Sequence, residues 1–367
     1  MEIYFRVDAS ISIGTGHVIR CLNLAQELSL NGAKCFFITK SHPGNLITEI
    51  VEKGYKAFEI NPIDNEKAYS DKESEWLGDT QKNDAVKTID ILSKDNAKPD
   101  VIIADHYAID YEWEQVIKEK YPSAKLIIID DLANRKHICD LLIDTTLERD
   151  ISDYKRLIPT YCQTLLGTKY SLINKSFHLQ RDKALEYRTK TTIPRKVLIT
   201  MGGIDIFNIT GKTLNIINRF FAKDLELITV VLGKNCPHIE SVEITARSML
   251  CETSVLINTD KMPELMLSHH ASVGALGGTT WERCVLGLPS INLSIANNQK
   301  VLINKLKSKG LITISDLEFT DEEFNESWEM LKYNYKEISL RSSNLCDGLG
   351  LKRVAEKIKS ISTFKRV

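Results

Sequence analysis

The sequence predicts an α/β protein of two tandem domains, each a doubly wound parallel sheet covered by helices. Three observations carry this. The chain has 367 residues, more than the roughly 250–300 at which one hydrophobic core stops growing. Short apolar runs alternate with helical periodicity through the first half, the pattern of strand–helix–strand units. The same alternation then restarts after a polar stretch, Asn174–Pro194.

In the first series Glu2–Asp8, Lys34–Thr39, Val101–Asp105, Leu126–Asp130 and Leu141–Asp144 are rich in Ile, Val and Phe and read as strands. Between them Val18–Leu30, Asp84–Leu92 and Tyr111–Lys118 repeat apolar residues at helical spacing. Pro62–Asp79 is polar and acidic and reads as an excursion loop with room for a short helix. In the second series the strands are Lys196–Thr200, Leu225–Leu232, Val255–Asn258, Ala271–Ala275 and Ser290–Leu293, and the join falls between Leu166 and Pro194. The tail Gly350–Ile358 is helical, with Asp347-Gly348 as its start signal. Tandem domains of this kind leave a cleft at the carboxyl ends of both sheets, where ligands usually bind.

Composition excludes several functions. The charge sum of 48 basic and 49 acidic residues is −1, which provides no basic footprint for nucleic acid and no cationic face for a membrane. No apolar run approaches the roughly 18–20 residues that span a bilayer. Met1-Glu2-Ile3-Tyr4-Phe5-Arg6 lacks the form of a signal peptide. The eight cysteines form neither CxxC pairs nor zinc spacings. A cytoplasmic protein with reduced thiols, no metal and no cofactor is expected, acting as a monomer.

Two strand-to-helix glycine turns stand out. The first, Asp8-Ala9-Ser10-Ile11-Ser12-Ile13-Gly14-Thr15-Gly16-His17-Val18-Ile19-Arg20, opens the first helix. Gly14 and Gly16 let the backbone turn tightly and expose amides. The spacing matches neither GxGxxG nor a Walker loop. His17 sits at a helix N-terminus, whose partial positive charge favours neutral imidazole, the form a general base needs. The alternative is a solvated histidine that happens to begin a helix. Arg20, three residues on, either shares that face or is an ordinary surface arginine.

The second turn is Gly274-Ala275-Leu276-Gly277-Gly278-Thr279-Thr280-Trp281-Glu282-Arg283. Amides at Gly277 and Gly278 suit a pyrophosphate, and Thr279 or Thr280 adds a hydroxyl. Glu282 could accept hydrogen bonds from a ribose diol, or Thr279-x-x-Glu282 could be a capping box that needs no ligand. Met201-Gly202-Gly203-Ile204-Asp205-Ile206-Phe207-Asn208 is a further glycine turn, and Ser294-Ile295-Ala296-Asn297-Asn298-Gln299 an amide cluster after a strand. Asp105-His106-Tyr107 and Asp130-Asp131 also end strands, and alternation lets only one of the two aspartates face a cleft. Each has a capping explanation by itself. Their convergence on strand ends makes a ligand site the working expectation.

Taken in order, Gly14-Thr15-Gly16-His17-Val18-x-Arg20-Cys21-Leu22, Trp76-Leu77-Gly78, Asp105-His106-Tyr107, Ile129-Asp130-Asp131-Leu132-Ala133-x-Arg135, Met201-Gly202-Gly203-x-Asp205, Gly277-Gly278-Thr279-Thr280-Trp281-Glu282-Arg283 and Ala296-Asn297-x-Gln299 resemble the UDP-2,4-diacetamido-2,4,6-trideoxy-β-L-altropyranose hydrolase family of pseudaminic acid biosynthesis, relatives of the GT-B glycosyltransferases. The resemblance spans roughly positions 1–300. It implies a GT-B fold with domains at 1–168 and 169–346, and a C-terminal helix, 347–367, returning to the first domain. It implies that His17 activates water, that Glu282 holds the UDP ribose, and that no metal is needed. The expected substrate is a UDP-sugar and the product UDP. Gly14, Gly16, Arg20, Gly202, Gly203, Asp205, Asn208, Gly277, Gly278, Thr279, Thr280, Glu282, Asn297 and Gln299 are the expected binding residues. Hydrolysis would proceed with inversion through an oxocarbenium-like transition state. A glycosyltransferase on a UDP-sugar donor and a non-catalytic nucleotide-sugar binder are the alternatives.

Overall fold

The computed structural model describes residues 1–61, 72–295 and 299–363. Two compact units emerge: Met1–Leu172 with the stretch from Leu349 through the last helix, and Ile173–Gly348.

The first unit runs β1 (Glu2–Val7), α1 (Gly16–Leu30), β2 (Lys34–Lys40), α2 (Ile47–Glu52), β3 (Lys56–Ile60), α3 (Gln81–Lys94), β4 (Val101–Asp105), α4 (Tyr111–Lys120), β5 (Lys125–Ile129), β6 (Leu141–Asp144) and β7 (Gln163–Leu166). The second runs α5 (Lys175–Lys190), β8 (Lys196–Thr200), α6 (Ile209–Phe220), β9 (Leu227–Leu232), α7 (Ile239–Arg247), β10 (Glu252–Ile257), α8 (Met262–Ser268), β11 (Ala271–Ala275), α9 (Gly278–Val285), β12 (Ser290–Leu293), α10 (Lys300–Ser308), β13 (Ile312–Ile314), α11 (Asp321–Tyr333) and α12 (Tyr335–Ser343). The last helix, α13 (Gly350–Thr363), joins the first unit.

Both sheets are wholly parallel. Their orders are β3-β2-β1-β4-β5-β6-β7 and β10-β9-β8-β11-β12-β13. The chain starts each sheet in the middle and reverses direction once, so each has a switch point: β1 beside β4, and β8 beside β11. Ligands of doubly wound sheets bind outside the carboxyl ends there. The Ser10–His17 loop leaves β1, and Asp105-His106-Tyr107 ends β4. In the second unit the Met201 turn leaves β8 and the Gly277 turn leaves β11.

Parallel strands are covered on both faces and read as continuous apolar runs. In β1, Ile3, Phe5 and Val7 face a core completed by Val18, Cys21 and Ala25 of α1 and by Leu351, Val354 and Ile358 of α13. Tyr4 faces the opposite core with Ala85 of α3 and Trp113 of α4. Arg6 shares that second face and is fully buried. Its Nη1 donates to Asp8 Oδ1 at 2.5 Å, and Nε and Nη2 grip the Asp84 carboxylate at 2.9 and 2.7 Å. Trp113 Nε1 adds a donor to Asp84 at 3.0 Å, and the Lys40 amide one to Asp8 at 2.7 Å.

The structure departs from the sequence expectation in places with physical causes. Edge strands β3, β7 and β13 were not anticipated, being short or partly exposed, and edge strand β10 starts at Glu252 rather than Val255. The supposed polar connector Asn174–Pro194 contains the 16-residue helix α5. Arginines hold it in place of an apolar stripe. Arg181 donates to the carbonyls of Val285, Ser343 and Cys346, and buried Arg188 to those of Met266 and His269. Of the acidic stretch expected as an excursion loop with room for a short helix, residues 62–71 lie outside the described residues, and the described part holds the 3₁₀ turn Glu73–Glu75. Among the described residues no helix is long and apolar enough to cross a membrane.

The Arg6 network yields a stability prediction. Asp84→Ala leaves a buried guanidinium with one carboxylate partner, and breaking such a pair costs about 3–5 kcal/mol. Urea unfolding followed in the first unit should lose stability on that scale. A loss under about 1 kcal/mol would mean that Asp8 alone satisfies Arg6.

Candidate functional site

In the first unit the loop from β1 to α1 is pinned by Ser10, whose Oγ accepts from the amides of Ser12 and Ile13 at 3.1 and 2.9 Å. Gly14 has φ 76°, a left-handed conformation that glycine adopts without strain. Thr15 is the N-cap of α1 and makes no side-chain cap. The first-turn amides therefore carry the partial positive end of the helix without an internal acceptor. Gly16 is exposed, and a side chain there would meet nothing within 4 Å.

His17 follows as the second residue of α1. Its ring is buried, which excludes the solvated alternative. Nδ1 lies 3.1 Å from Asp105 Oδ1 and 3.3 Å from the Asp105 carbonyl. Both neighbours are acceptors, so Nδ1 carries the proton and the Nε2 lone pair remains in the neutral ring. Tyr107 meets the ring edge-on, with centroids 4.5 Å apart, and Trp76 stacks on Tyr107 at 5.8 Å. Buried Lys40 fixes the segment carrying Trp76 by donating to the carbonyls of Leu77 and Gly78 at 2.8 and 3.1 Å.

Arg20 is not an ordinary surface arginine. Its Nη2 and Nε grip the Asp105 carboxylate at 2.5 and 2.6 Å, and Nη1 donates to Asp131 Oδ2 at 2.6 Å. Tyr107 donates its hydroxyl to the same Asp131 oxygen at 2.8 Å. Burial by itself would raise the Asp105 carboxyl, but Arg20 and then His17 hold it well below the usual carboxylate range. Of the adjacent pair, Asp131 joins this cluster. Asp130 instead accepts from Arg135 and Tyr154 and from the amides of Leu132 and Ala133.

In the second unit the turn after β8 is built differently from the expectation. Asp205 accepts from the amides of Ile209 and Thr210, each at 2.9 Å, and Asn208 from that of Gly211 at 3.1 Å. Both residues adopt positive φ and cap α6, so the side-chain oxygens expected to reach a ligand serve helix amides. Gly202 is exposed with φ 84°. Gly203 is fixed by its neighbour: a Cβ on Gly233 would sit 1.9 Å from its carbonyl oxygen, so the turns after β8 and β9 pack backbone on backbone.

After β11, Gly277 and Gly278 are exposed, and a side chain at either would meet nothing within 4 Å. The Thr279-x-x-Glu282 capping box does not form. Helix α9 starts at Gly278, and Thr280 closes the turn by accepting from the Gly277 amide at 3.2 Å. Thr280 is buried in that role, whereas Thr279 is half-exposed. Glu282 is half-buried, and desolvation pushes its carboxyl up to about 7 against the opposing pull of Arg283. Gln299 straps the segment after β12 to the same turn, accepting from the Ile295 amide at 2.8 Å and donating to the Leu276 carbonyl at 3.0 Å. Asn297 lies outside the described residues.

The structure thus gathers His17 and Arg20 with Asp105, Tyr107, Asp131 and Trp76 in the first unit. In the second it gathers Gly277, Gly278, Thr279, Glu282 and Gln299. Asp105 and Asp131 were legible only as strand ends, because Arg20 and His17 lie 85 and 88 positions from Asp105, and Arg20 lies 111 from Asp131. Among the described residues no group of three or more His, Cys, Asp or Glu side chains is placed to hold a metal ion.

Comparison with known proteins bears on these arrangements. No protein-family model matches the chain. An uncharacterised protein of Methanocaldococcus jannaschii is 28% identical over 300 residues, covering 80% of this chain but 55% of that protein. The chain therefore spans about half the length of this relative. UDP-2,4-diacetamido-2,4,6-trideoxy-beta-L-altropyranose hydrolase of Campylobacter jejuni is 24% identical over 310 residues, covering 84% of this chain and 97% of that enzyme. The motif resemblance is thus matched by similarity along most of the chain. Among solved structures, Acinetobacter baumannii MurG aligns with a TM-score of 0.65 at 12% identity, covering 98% of this chain and 99% of that one. UDP-GlcNAc 2-epimerase of Neisseria meningitidis, bound to UDP-GlcNAc, aligns at 0.59 with 13% identity, covering 98% and 100%. The fold is GT-B.

In this GT-B chain the Glu282 environment makes a pH prediction. A raised carboxyl favours the protonated folded state, so its contribution is complete below the ordinary value of 4.5 and is lost as pH rises through about 7. The melting temperature of the second unit should fall between pH 5 and pH 8 more steeply in wild type than in Glu282→Gln. Equal slopes would show that Glu282 does not titrate in that window.

Proposed function

We propose that the chain hydrolyses a UDP-sugar, UDP-2,4-diacetamido-2,4,6-trideoxy-β-L-altropyranose, to the free sugar and UDP with inversion at the anomeric carbon. The observation that carries this reading is the His17 ring. Its Nδ1 is held by the Asp105 carboxylate and carbonyl, which leaves Nε2 to act as base at the switch point of the first sheet. The substrate class is supported by the Campylobacter hydrolase, similar over 84% of this chain.

Nε2 of His17 takes a proton from water as the water oxygen bonds to the anomeric carbon. The bond from that carbon to the diphosphate oxygen breaks, and UDP leaves with the electron pair. Positive charge grows on the sugar in the transition state, which suits a base held by the Asp105 carboxylate. Negative charge grows on the departing diphosphate, which suits the free amides of Gly278 and Thr279 at the start of α9. Glu282, beside that turn, is assigned to the ribose hydroxyls. A diphosphate is already a good leaving group, so no dedicated acid is required of the protein.

The test is UDP release from the UDP-sugar without an acceptor. His17→Ala should lower turnover by about 10²–10⁴-fold, the usual size of a lost general base, while UDP still binds. Turnover within threefold of wild type would remove His17 from the role. Glu282→Ala should chiefly weaken UDP binding, and unchanged affinity would detach Glu282 from the nucleotide.

A further inference from the structure

Beneath the Gly277 turn lies a buried cation that no carboxylate among the described residues contacts as an ion pair. Arg283 is 1% exposed. Its Nη2 donates to the Ala275 carbonyl at 3.0 Å, to Asn292 Oδ1 at 3.1 Å and to Thr280 Oγ1 at 3.3 Å. These acceptors are neutral, and buried Nε and Nη1 have no hydrogen-bond partner among the described residues. Among the described residues no carboxylate lies within ion-pair distance of this guanidinium. Arg6 of β1, equally buried, has two, whereas Arg188 of α5 gives its Nη donors to the carbonyls of Met266 and His269.

The site is built to admit this group. Gly274 in β11 has no side chain, and a Cβ there would lie 2.2 Å from Arg283 Nη1 and 2.9 Å from the Thr200 carbonyl. Arg283 therefore occupies the switch point itself, against β8, β11 and β12, and it braces Ala275 and Thr280 on either side of the exposed Gly277-Gly278 backbone. A buried cation without a counter-ion is costly to keep. The exposed amides above it favour an anion, and the two features point to the same ligand.

We propose that Arg283 is a positioning residue for a diphosphate at the start of α9: its uncompensated charge is completed by the bound nucleotide, and its hydrogen bonds hold the turn in the receiving shape. This rests on the UDP-sugar reading above and adds to it a residue that touches the turn rather than the ligand. Charge acting at this range should discriminate among nucleosides by phosphate number. Uridine, which brings no anion, should be indifferent to it.

Isothermal titration with uridine and with UDP tests this on wild type, Arg283→Gln and Arg283→Lys, with circular dichroism confirming the fold. Arg283→Gln should lower UDP affinity by about 10–100-fold, the scale of a charge-assisted interaction, and uridine affinity by less than threefold. Arg283→Lys keeps the charge and should preserve most of the UDP-to-uridine ratio. Unchanged UDP affinity in a folded Arg283→Gln would overturn the proposal. So would an equal loss for both ligands, which is the mark of a merely structural role. Should Arg283→Gln not fold, Arg283→Lys decides, and a collapsed ratio there counts against the charge. Wild-type protein that binds neither ligand would instead sink the nucleotide reading itself, a result distinct from either failure of Arg283.

Discussion

One carboxylate, that of Asp105, organises the reactive face of the first unit. It ends β4, its backbone is in register with Val7 of the central strand β1, and it is fully buried. From that fixed point its Oδ1 receives both His17 Nδ1 and Arg20 Nη2, while its carbonyl offers His17 a second acceptor. The imidazole is thereby oriented by a sheet rather than by a loop, the kind of support that holds a reactive group to a narrow geometry. Arg20 keeps the carboxylate ionised and extends the cluster to Asp131 and Tyr107. Loss of this single carboxylate would leave the imidazole only the Asp105 carbonyl and the arginine only Asp131.

The two units solve opposite electrostatic problems with the same topology. At the switch point of the first sheet, two aspartates share one arginine. At that of the second, a buried arginine has no carboxylate partner among the described residues and lies under a helix start whose N-cap, Gly277, makes no side-chain cap. In the proposed reaction, positive charge develops on the sugar and negative charge on the leaving diphosphate. The aspartates of the first unit suit the first and the buried arginine of the second unit suits the second, on a chain whose net charge is −1.

Much of this was legible in the residues. Central strands β4, β6, β8, β11 and β12 matched their apolar runs to the residue, because burial on both faces leaves a continuous signal. The two glycine turns were visible as strand-to-helix junctions. Helix α5 was not, since arginine-to-carbonyl bonds replace the amphipathic pattern that marks most helices. Nor could the sequence tell which side chains serve ligands and which serve helices. Asp205, Asn208 and Thr280 look like binding residues, yet their oxygens go to backbone amides a few positions away. Arg283 shows the converse. Nothing local distinguishes it from a surface arginine, and its meaning depends on Gly274 leaving room nine positions earlier.

The central claim, that a solvent molecule primed by His17 displaces UDP from the anomeric carbon, is tested most directly by following oxygen. The UDP-sugar is incubated with the protein in ¹⁸O-water without any acceptor, and both products are weighed by mass spectrometry. The account requires one ¹⁸O in the free sugar and none in UDP. Label in the UDP phosphate would mean that the phosphorus–oxygen bond is cut instead, and absence of release until an alcohol acceptor is supplied would make the chain a transferase.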